Sequence, residues 1–568
     1  MAKEIDRRSF LKGALITGAA AAATAAAATS LSACTPAQST SGDSGTTTTA
    51  STPEGIGKHT WEVSPAPITD IAQTKDYDIV IVGAGLAGLS AAEAAARNGV
   101  KVVVLERSDQ FQIRGVDVGH IGSQYHLKNG FNLDPRMAAK LLHLWSHQTT
   151  NYNLIYTWAS RSGKVFDYIE QLVAKDGVYM VPALSPTAKY GWDALPERWR
   201  VYPDAVSFVT DQEPGMTRSD GKPSTWNLGE SLNKAAIGDG AEFIYETHVE
   251  QLVGDVAGGI TGVIATDSDG TYVQYNASKG VILATGDICG NQEMIDAFAP
   301  ICNRADANIY TPVGGNTGDA ILMGSWVGAA ISKSPVSPMV HQFTPDSMSF
   351  NLTAFIMSWL AVNRNGERYG AEMPFEPYLT DARMNTPGDV AWSVFDADYA
   401  TYVEKQWPTK YTEWLNGIED EMATRLDNGT LFKADTLDDL ANQLGVPADN
   451  LKATVDRYNS METNGEDTDF EVPPQFLSQI KTAPFYATPL VCSVLTIPFG
   501  LHVNDDSQVC TADDVAIKGL FAIGNAQGDF FGFDYPVHCP GISQGRCVTF
   551  GQLVGDALAK DTVITKTA

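Results

Sequence analysis

A short stretch near the C-terminus brings together side chains suited to hydrogen-bond chemistry. It reads FDYPVHCPGISQGRC at residues 533–547 and places the phenol of Tyr535 three residues before the imidazole of His538. Neutral donors of this kind can bind a carbonyl oxygen and stabilise the negative charge that develops on it during a reaction. The same residues also suit a tight turn before a helix, with Tyr535 packed inside and His538 capping the turn. The stretch alone leaves both interpretations open.

A second stretch predicts the scaffold that positions such a loop. Residues 77–107, YDIVIVGAGLAGLSAAEAAARNGVKVVVLER, read as a buried strand, a glycine turn, an alanine-rich helix and a second strand. Gly83 permits the tight turn, Gly85 lets the backbone approach a pyrophosphate, and Gly88 lets the helix pack closely on the sheet. The phosphates would meet the helix N-terminus, and Glu106 would accept hydrogen bonds from ribose hydroxyls. The pattern predicts a dinucleotide site.

Two later segments favour FAD over NAD as the dinucleotide. Residues 279–287, KGVILATGD, form an apolar strand that runs into a Thr-Gly turn. Residues 518–529, KGLFAIGNAQGD, form a strand that ends where Gly524 and Asn525 can approach a ribityl chain. Each segment alone reads as an ordinary buried strand and turn. Three such elements at these separations predict a flavin-binding fold.

Composition and charge limit the partners that the chain can take. It has 568 residues, 44% of them hydrophobic, and a formal net charge of -28, so it is long enough for at least two domains with ordinary cores. A strongly acidic surface repels phosphate backbones, which argues against nucleic acid as a partner. The cysteine spacings match no zinc, iron–sulfur or haem-attachment pattern, so we expect buried thiols and no metal site.

The N-terminal residues read as a targeting sequence. Arg7 and Arg8 precede an alanine-rich apolar run too slight for a membrane-spanning helix, and this resembles a twin-arginine export signal. The LSAC ending resembles a lipoprotein cleavage box, in which Cys34 would become the acylated first residue of the mature chain. The alternative is an uncleaved anchor. We assign residues 1–34 to the signal and residues 35–74, rich in Thr, Ser, Gly and Pro, to a flexible tether.

Further segments extend a family resemblance over residues 77–558. NTGDAILMGSWVGAA starts at Asn316, AVNRNGERYGAE at Ala361 and GVPADNLKATVDRYNSMETNGEDTDF at Gly445. With the dinucleotide motif, these segments resemble the fumarate reductase and succinate dehydrogenase flavoproteins, in the soluble branch with flavocytochrome c and the 3-ketosteroid dehydrogenases. The resemblance implies an α/β fold with a Rossmann-like FAD-binding domain in two sequence pieces, 75–335 and 497–560. An inserted α+β capping domain, 336–496, would close over the flavin.

The resemblance also implies which residues hold FAD. The turn at residues 540–545 would place backbone N–H groups beside the pyrimidine carbonyl of the flavin. The histidine that carries covalent flavin in succinate dehydrogenases would fall near Gly115 or Val116 and not at His120, so FAD is expected to be noncovalent. The residues expected to bind the cofactor are Gly83, Gly85, Ala87, Gly88, Glu106, Arg107, Gly115, Gly122, Val249, Thr285, Gly286, Gly524, Asn525, Gly541 and Ile542.

Fumarate reductases of this family bind and protonate their substrate with cationic side chains, and this sequence departs from them. The proton-donating arginine falls at Glu376 and its relay partners fall near Leu352 and Phe355. The second substrate histidine falls near Thr496, where no cation is expected, and the carboxylate-binding arginine falls at His538. Because a dicarboxylate requires strong cations, the sequence predicts a substrate other than fumarate.

Neutral donors then become the candidates for catalysis. Tyr535 precedes a proline, as does the tyrosine that polarises a ketone in the 3-ketosteroid dehydrogenases, and His538 would be a second donor. His341 matches the first substrate histidine of the family, and Tyr369 is a further possible donor. For Arg368 two interpretations stay open: a structural ion pair, or a side chain that faces the cleft.

These features favour an exported FAD-dependent oxidoreductase that acts on CH–CH or C=C bonds. The leading hypothesis is hydride transfer from flavin N5 to a C=C bond conjugated to a carbonyl or aromatic group in a small organic acceptor. The sequence has no second glycine motif for NAD(P)H and no haem motif, so a cytochrome or a quinol dehydrogenase would supply electrons at the outer face of the cytoplasmic membrane or in the periplasm, as in anaerobic respiration. The alternatives are dehydrogenation of a saturated, steroid-like ketone and a noncatalytic lipid-anchored flavin carrier.

Overall fold

A computed structural model describes the folded body of the chain. The described residues are 59–182, 202, 204–310, 312–342, 344, 352, 357–372, 382–406, 415–533 and 535–564. Within these ranges, no helix has the length and apolar character needed to cross a bilayer. The predicted signal, most of the predicted tether, Phe355 and Glu376 lie outside the described residues.

The described strands form four sheets. In chain order the strands are β1 (Gln73–Val82), β2 (Val102–Leu105), β3 (Val118–Gly119), β4 (Tyr179–Pro182), β5 (Ala205–Val209), β6 (Glu242–Ile244), β7 (His248–Asp255), β8 (Gly259–Thr266), β9 (Tyr272–Leu283), β10 (Ala307–Asn308), β11 (Met339–His341), β12 (Leu360–Asn363), β13 (Ala391–Phe395), β14 (Phe432–Ala434), β15 (Phe485–Pro489), β16 (Ser493–Thr496), β17 (Gln508–Cys510) and β18 (Ala516–Ala522). The α-helices are α1 (Leu86–Ala96), α2 (Gln124–Lys128), α3 (Pro135–Trp145), α4 (Tyr152–Ala174), α5 (Thr225–Gly238), α6 (Gln292–Phe298), α7 (Asp319–Trp326), α8 (Tyr399–Gln406), α9 (Ile418–Asn428), α10 (Leu437–Leu444), α11 (Ala448–Asn464) and α12 (Ile542–Ala559).

The largest sheet has a parallel centre. Its order is β17-β18-β9-β1-β2-β6, with β8 on β9 and β7 on β8. β1 pairs in parallel with β2 and β9, and β9 pairs in parallel with β18. Residues 79–82 of β1 are all buried and apolar, as expected for a parallel strand covered on both faces. Since Leu520 of β18 pairs with Val281 of β9, the sheet joins two distant parts of the sequence. The predicted α/β fold class is confirmed.

Smaller sheets complete the body. β12, β13, β15 and β14 form an antiparallel sheet that shares a hydrophobic core with α10 and α11. A mixed sheet, β10-β16-β11, pairs Ser493 with both Ala307 and His341. β3, β5 and β4 form the third of these smaller sheets, which is antiparallel. Since β10 precedes residue 336 and pairs with a strand of the predicted cap, the exact domain boundaries stay a prediction.

The first and last helices of the FAD-binding region run side by side in the same direction. A Cβ on Gly551 would lie 2.6 Å from the Ser90 Cβ, and a Cβ on Gly555 would lie 3.0 Å from the Ala94 Cβ. Because both contacts advance by four residues, α1 and α12 are parallel. α12 starts roughly 7 Å beyond the start of α1, given the 1.5 Å rise per helical residue and their first residues. Both N-termini therefore open on the same side of the molecule.

Candidate functional site

The glycine turn after β1 has the geometry of a diphosphate site. Gly83 has φ of +100°, and a Cβ there would lie 2.6 Å from the carbonyl oxygen of Ala284. A Cβ on Gly88 would collide with the carbonyl oxygen of Gly83, so both positions require glycine. Gly85 is the N-cap of α1 and supplies no side-chain cap. The first N–H groups of the helix are thus left for an anion.

The acidic residue after β2 also holds this turn. Glu106 is buried, and its carboxylate accepts hydrogen bonds from the Ala84 N–H at 2.7 Å and the Ser108 N–H at 2.8 Å. Each carboxylate oxygen keeps acceptor capacity for a ribose hydroxyl. Arg107 donates to the Thr317 hydroxyl at 2.8 Å. The roles predicted for Glu106 and Arg107 toward the cofactor stay predictions.

Other predicted cofactor residues follow the carboxyl ends of parallel strands. Thr285 and Gly286 follow β9, and Gly524 and Asn525 follow β18. Because β1, β2, β9 and β18 are parallel, these segments lie at the same edge of the sheet as the glycine turn. This edge is where open α/β sheets bind their ligands.

A buried hydrogen-bond network runs across this edge. Asp287 accepts hydrogen bonds from Arg114 and from the Thr496 hydroxyl, the latter at 2.5 Å. The Asn525 amide donates to Thr496 at 3.0 Å, and its carbonyl oxygen accepts from Arg546 at 2.6 Å. The network therefore connects β9, β16, β18 and α12 at the predicted ring end of the cofactor.

The two parallel helices converge on the predicted cofactor. Gly524 lies between them, since a Cβ there would lie 2.9 Å from the Ala87 Cβ and 3.3 Å from the Cys547 Sγ. Gly541, with φ of +69°, is the N-cap of α12 and supplies no side-chain cap, and Ile542 behind it is buried. Two uncapped helix N-termini on one side of the sheet suit a group with a diphosphate at one end and an electron-rich ring at the other. The residues present therefore fit FAD.

The remaining predicted cofactor residues lie in different environments. Val249 is buried in β7, and Gly115, with φ of +78°, accepts a hydrogen bond from the Thr225 hydroxyl. Gly122 has φ of +79° and space around its α-carbon. The His120 ring is buried between the rings of His126 and Phe166, each 4.1 Å away, and its Nε2 contacts Ser123. This packing is consistent with the prediction that His120 carries no covalent flavin.

Comparison with protein families assigns the cofactor. A family described as FAD binding domain matches residues 190–536, and a second, FAD dependent oxidoreductase, matches residues 78–301. The first match covers more than half of the chain. The chain belongs to the FAD-binding domain family. The flavoprotein uses FAD, which supplies two-electron redox chemistry, and it is an oxidoreductase that acts on CH–CH or C=C bonds.

Curated relatives resemble the flavoprotein over most of its length. It is 23% identical to the probable fumarate reductase Ifc3 of Shewanella frigidimarina, over 88% of this chain and 82% of that protein. It is 24% identical to the vinyl phenol reductase of Lactiplantibacillus plantarum, over 87% of this chain and 98% of that protein. The solved structure of 3-ketosteroid Δ4-(5α)-dehydrogenase from Rhodococcus jostii superposes with a TM-score of 0.68 at 23% identity, covering 87% of this chain and 99% of that chain. The predicted resemblance to the fumarate reductase and succinate dehydrogenase flavoproteins is confirmed.

The loop at residues 533–547 places both of its predicted donors, Tyr535 and His538, inside the protein. Tyr535 is buried and hydrogen-bonds Ser543 on α12, and burial raises the pKa of its phenol to about 12. His538 is buried, and its ring packs edge-on against Trp145 at the end of α3. The structure thus brings α3 into contact with the loop, which the sequence did not indicate. A catalytic role for Tyr535 or His538 stays a prediction.

The cap side of the site contains a second group of donors. The Tyr369 hydroxyl is buried and has no hydrogen-bond partner among the described residues, and the charges of Arg383 and Cys492 act on it. Arg383 donates to Cys492 Sγ at 2.7 Å and to the Asp306 carboxylate at 3.1 Å. Burial raises the pKa of Tyr369, so its phenol stays protonated. His341 lies opposite Ser493, the residue after Cys492, and burial lowers the pKa of its imidazole to about 4.

The two groups lie at opposite ends of β16. Cys492 precedes the strand and Thr496 ends it, so they are separated by roughly 13 Å at 3.3 Å per residue. One group contains Tyr369, and the other contains Tyr535 and Asn525. β16 therefore separates the group around Tyr369 from the hydrogen-bond network around Asn525.

The structure decides between the two interpretations of Arg368. Its guanidinium forms a bidentate ion pair with Glu372, at 2.6 Å to 3.1 Å, and a second pair with Asp467, at 2.7 Å and 2.8 Å. All three side chains are at most 5% exposed. A guanidinium committed to two buried carboxylates is a structural ion pair, so the prediction that placed Arg368 among the catalytic residues is wrong.

A second expectation also fails. The sequence indicated no cation near Thr496, but Arg114 donates to the Thr496 hydroxyl at 3.2 Å. Arg114 precedes β3 and reaches β16 because the loop after β2 crosses the carboxyl edge of the sheet. Leu352, which matches a relay position, is fully buried. Arg114 and Arg383 have no sequence signature, because their partners lie far away along the chain.

Proposed function

We propose that the flavoprotein is an exported reductase of a C=C bond conjugated to a carbonyl or aryl group in a small organic acceptor, and that fumarate is not its substrate. The relatives include one named for fumarate and one named for vinyl phenol. These two acceptors differ in charge, since fumarate is a dianion and a vinyl phenol is neutral. The charge of the site therefore bears on whether it suits a dianion or a neutral acceptor.

Buried carboxylates already neutralise most cations around the site. Arg114 pairs with Asp287, and Arg383 pairs with Asp306. Arg546 is an exception, because no carboxylate among the described residues pairs with it. Its guanidinium bonds Asn525, and burial lowers its pKa to about 10. One unpaired cation cannot hold the two carboxylates of fumarate, each of which requires its own donors.

The observation that carries the proposal is the buried Tyr369 hydroxyl. A buried hydroxyl without a partner costs about 1–3 kcal/mol, and a substrate carbonyl or phenol oxygen that accepts its hydrogen bond would remove that cost. The same bond would stabilise the enolate-like charge that develops as an enone is reduced. The guanidinium of Arg383, close by, favours that charge further. A neutral conjugated acceptor satisfies this donor set.

The test uses purified FAD-loaded protein with reduced methyl viologen as the electron donor. Enones, cinnamates and vinyl phenols should oxidise the viologen at least roughly tenfold faster than fumarate, because the described residues offer no second unpaired cation for a dianion. Faster reduction of fumarate would contradict the proposal. Reduction of dichlorophenolindophenol by saturated ketones, without viologen oxidation, would favour a dehydrogenase. Inactivity in both assays with full FAD occupancy would favour a flavin carrier.

The proposal includes export and lipid attachment, which rest on residues 1–34. Cys34 would carry the lipid, and a cytochrome or quinol dehydrogenase outside the chain would deliver electrons. The net charge of -28 suits docking of a cationic redox partner, with association that weakens as salt is added. In Triton X-114 partitioning of cells that export the full chain, the wild type should enter the detergent phase and Cys34→Ser should stay in the aqueous phase. Equal partitioning would contradict lipid attachment.

A further inference from the structure

Two carboxyl groups lie behind the turn that begins α12. Asp204 is fully buried, and neither of its carboxyl oxygens has a hydrogen-bond partner among the described residues. The Oδ1 atom of Asp117 is also buried, and no described residue donates a hydrogen bond to it. A buried carboxylate without a donor is unfavourable, because nothing offsets the loss of its hydration. Asp204 is therefore favoured as a protonated acid, and burial shifts the pKa of Asp117 in the same direction.

Backbone crossings place the pair at the N-terminus of α12. A Cβ on Gly119 would lie 2.7 Å from Asp204 Oδ2 and 2.5 Å from the carbonyl oxygen of Pro540. A Cβ on Gly541 would lie 2.6 Å from the carbonyl oxygen of Asp117. The pairing of β3 with β5 fixes this arrangement, since Asp117 precedes β3 and Asp204 precedes β5. The Asp204 carboxyl group and the Asp117 backbone therefore flank the turn at the uncapped start of α12.

This turn lies on the FAD side of the molecule. α12 starts beyond α1 on the side where the diphosphate turn opens, so a dinucleotide held at α1 would have its ring toward α12. Arg114 and Asp117, before β3, are partly exposed. The carboxyl pair would then lie close to the part of FAD whose charge changes during the redox cycle.

We propose that Asp117 and Asp204 hold an exchangeable proton for bound FAD. The pair takes up one proton when FAD gains two electrons and releases it when FAD is reoxidised. Reduction then brings two electrons and two protons into the protein: FAD takes both electrons and one proton, and the carboxyl pair takes the other proton. When an acceptor is reduced, the two electrons and both protons leave. This inference rests on FAD binding and is independent of which acceptor the enzyme reduces.

The groups around the two carboxyls favour uptake of a proton. The titratable side chains near them are the Cys539 thiol on the turn, His126 on α2 and His120 in the loop after β3. On α12, Arg546 is directed toward Asn525 and the rings of Phe530 and Phe531. No basic side chain among the described residues forms an ion pair with either carboxyl group. Added negative charge on FAD therefore makes both acids weaker.

The pH range of proton uptake follows from the direction of the pKa shifts of Asp117 and Asp204. Burial raises the pKa of Asp117 to about 7, and burial, together with the charge of Asp117, raises the pKa of Asp204 well above its usual value. With oxidised FAD, Asp117 loses its proton as the pH rises above about 7. Since reduction of FAD raises this pKa further, proton uptake should occur above about pH 7.

The test is a spectroelectrochemical titration of FAD-loaded protein across this pH range. Each proton taken up in a two-electron reduction makes the midpoint potential fall by about 30 mV per pH unit. The wild type, with two protons, should show about 60 mV per pH unit. The double variant Asp117→Asn, Asp204→Asn should show about half that slope. The control variant Asp269→Asn, at an exposed carboxylate between β8 and β9, should keep the wild-type slope.

Two results would overturn the proposal. One is a double variant that binds FAD and keeps the wild-type slope, and the other is a wild-type slope of only about 30 mV per pH unit. If the double variant binds no FAD, reduced-minus-oxidised infrared spectra of the wild type and Asp117→Asn provide the answer. A carboxylic acid C=O band should appear on reduction of the wild type and be weaker in Asp117→Asn. Absence of this band in the wild type would contradict the proposal. Neither measurement needs a substrate.

Discussion

Replacing Tyr369 by Phe should lower kcat/KM for an enone at least roughly tenfold, because one hydrogen bond to a developing enolate contributes about 1.4 kcal/mol or more to transition-state stabilisation. Its hydroxyl is buried and has no hydrogen-bond partner in the described part of the chain, so the variant removes a donor that these residues do not use. The FAD absorbance spectrum and the FAD content should be unchanged. Steady-state viologen oxidation measures the effect.

Two further variants make this result interpretable. Tyr486→Phe removes the hydroxyl of another buried cap tyrosine, one that packs against Phe395, and should change kcat/KM by less than about twofold. Tyr535→Phe should have a smaller effect than Tyr369→Phe, because the Tyr535 hydroxyl already bonds Ser543. Unchanged turnover in Tyr369→Phe would remove Tyr369 from the mechanism. A larger loss in Tyr535→Phe would transfer the role to the loop at residues 535–538.

Replacing Arg368 by Met should destabilise the protein by about 3–5 kcal/mol, because the change leaves Glu372 and Asp467 buried without their cation. The side chains of these two carboxylates are 2% and 0% exposed. The guanidinium also lies 5.1 Å from the ring centroid of Tyr458 and 4.9 Å from that of Phe470, so Met keeps some of the packing and loses the charge. Urea unfolding of FAD-saturated protein, followed by tryptophan fluorescence, measures the shift in midpoint.

A nearby surface pair provides the matched control. Arg457 forms an ion pair with Asp469, and the Arg457 side chain is 60% exposed. Arg457→Met should cost no more than about 1 kcal/mol, because water solvates both charges once the pair is broken. Equal midpoints for Arg368→Met and Arg457→Met would show that the buried cluster does not stabilise the cap. Near-normal FAD content in both variants would show that the substitutions change the stability of the protein and not its binding of FAD.

The cofactor-binding half of the protein could be predicted because its signals are local. Gly83, Gly85 and Gly88 lie within six residues, and the steric reason for each acts between β1 and α1. The Thr-Gly turn after β9 and Gly524 after β18 were also visible, since each follows an apolar strand. The family match at residues 190–536 agrees with that prediction.

The cap side of the site could not be predicted in the same way. Matching along the sequence placed the missing arginine at Glu376, which lies outside the described residues, whereas Arg383 lies beside Tyr369 and Cys492. Pairing of β10 with β16 brings Asp306 beside Cys492, and Arg383 bonds both. That pairing joins residues almost 190 positions apart. A local motif contains no information about such a contact.

By itself, the sequence determined the α/β class and the FAD turn, because these depend on strand periodicity and on glycine at fixed spacing. The donor roles of Tyr535 and His538 stay predictions. The tertiary structure alone decided which charges are neutralised: Arg368 by two carboxylates, Arg114 by Asp287. It also showed which groups lack hydrogen-bond partners within the described ranges, among them the Tyr369 hydroxyl and the Asp204 carboxyl. The physical reason is that burial and ion pairing depend on distances between segments, and strand pairing sets those distances.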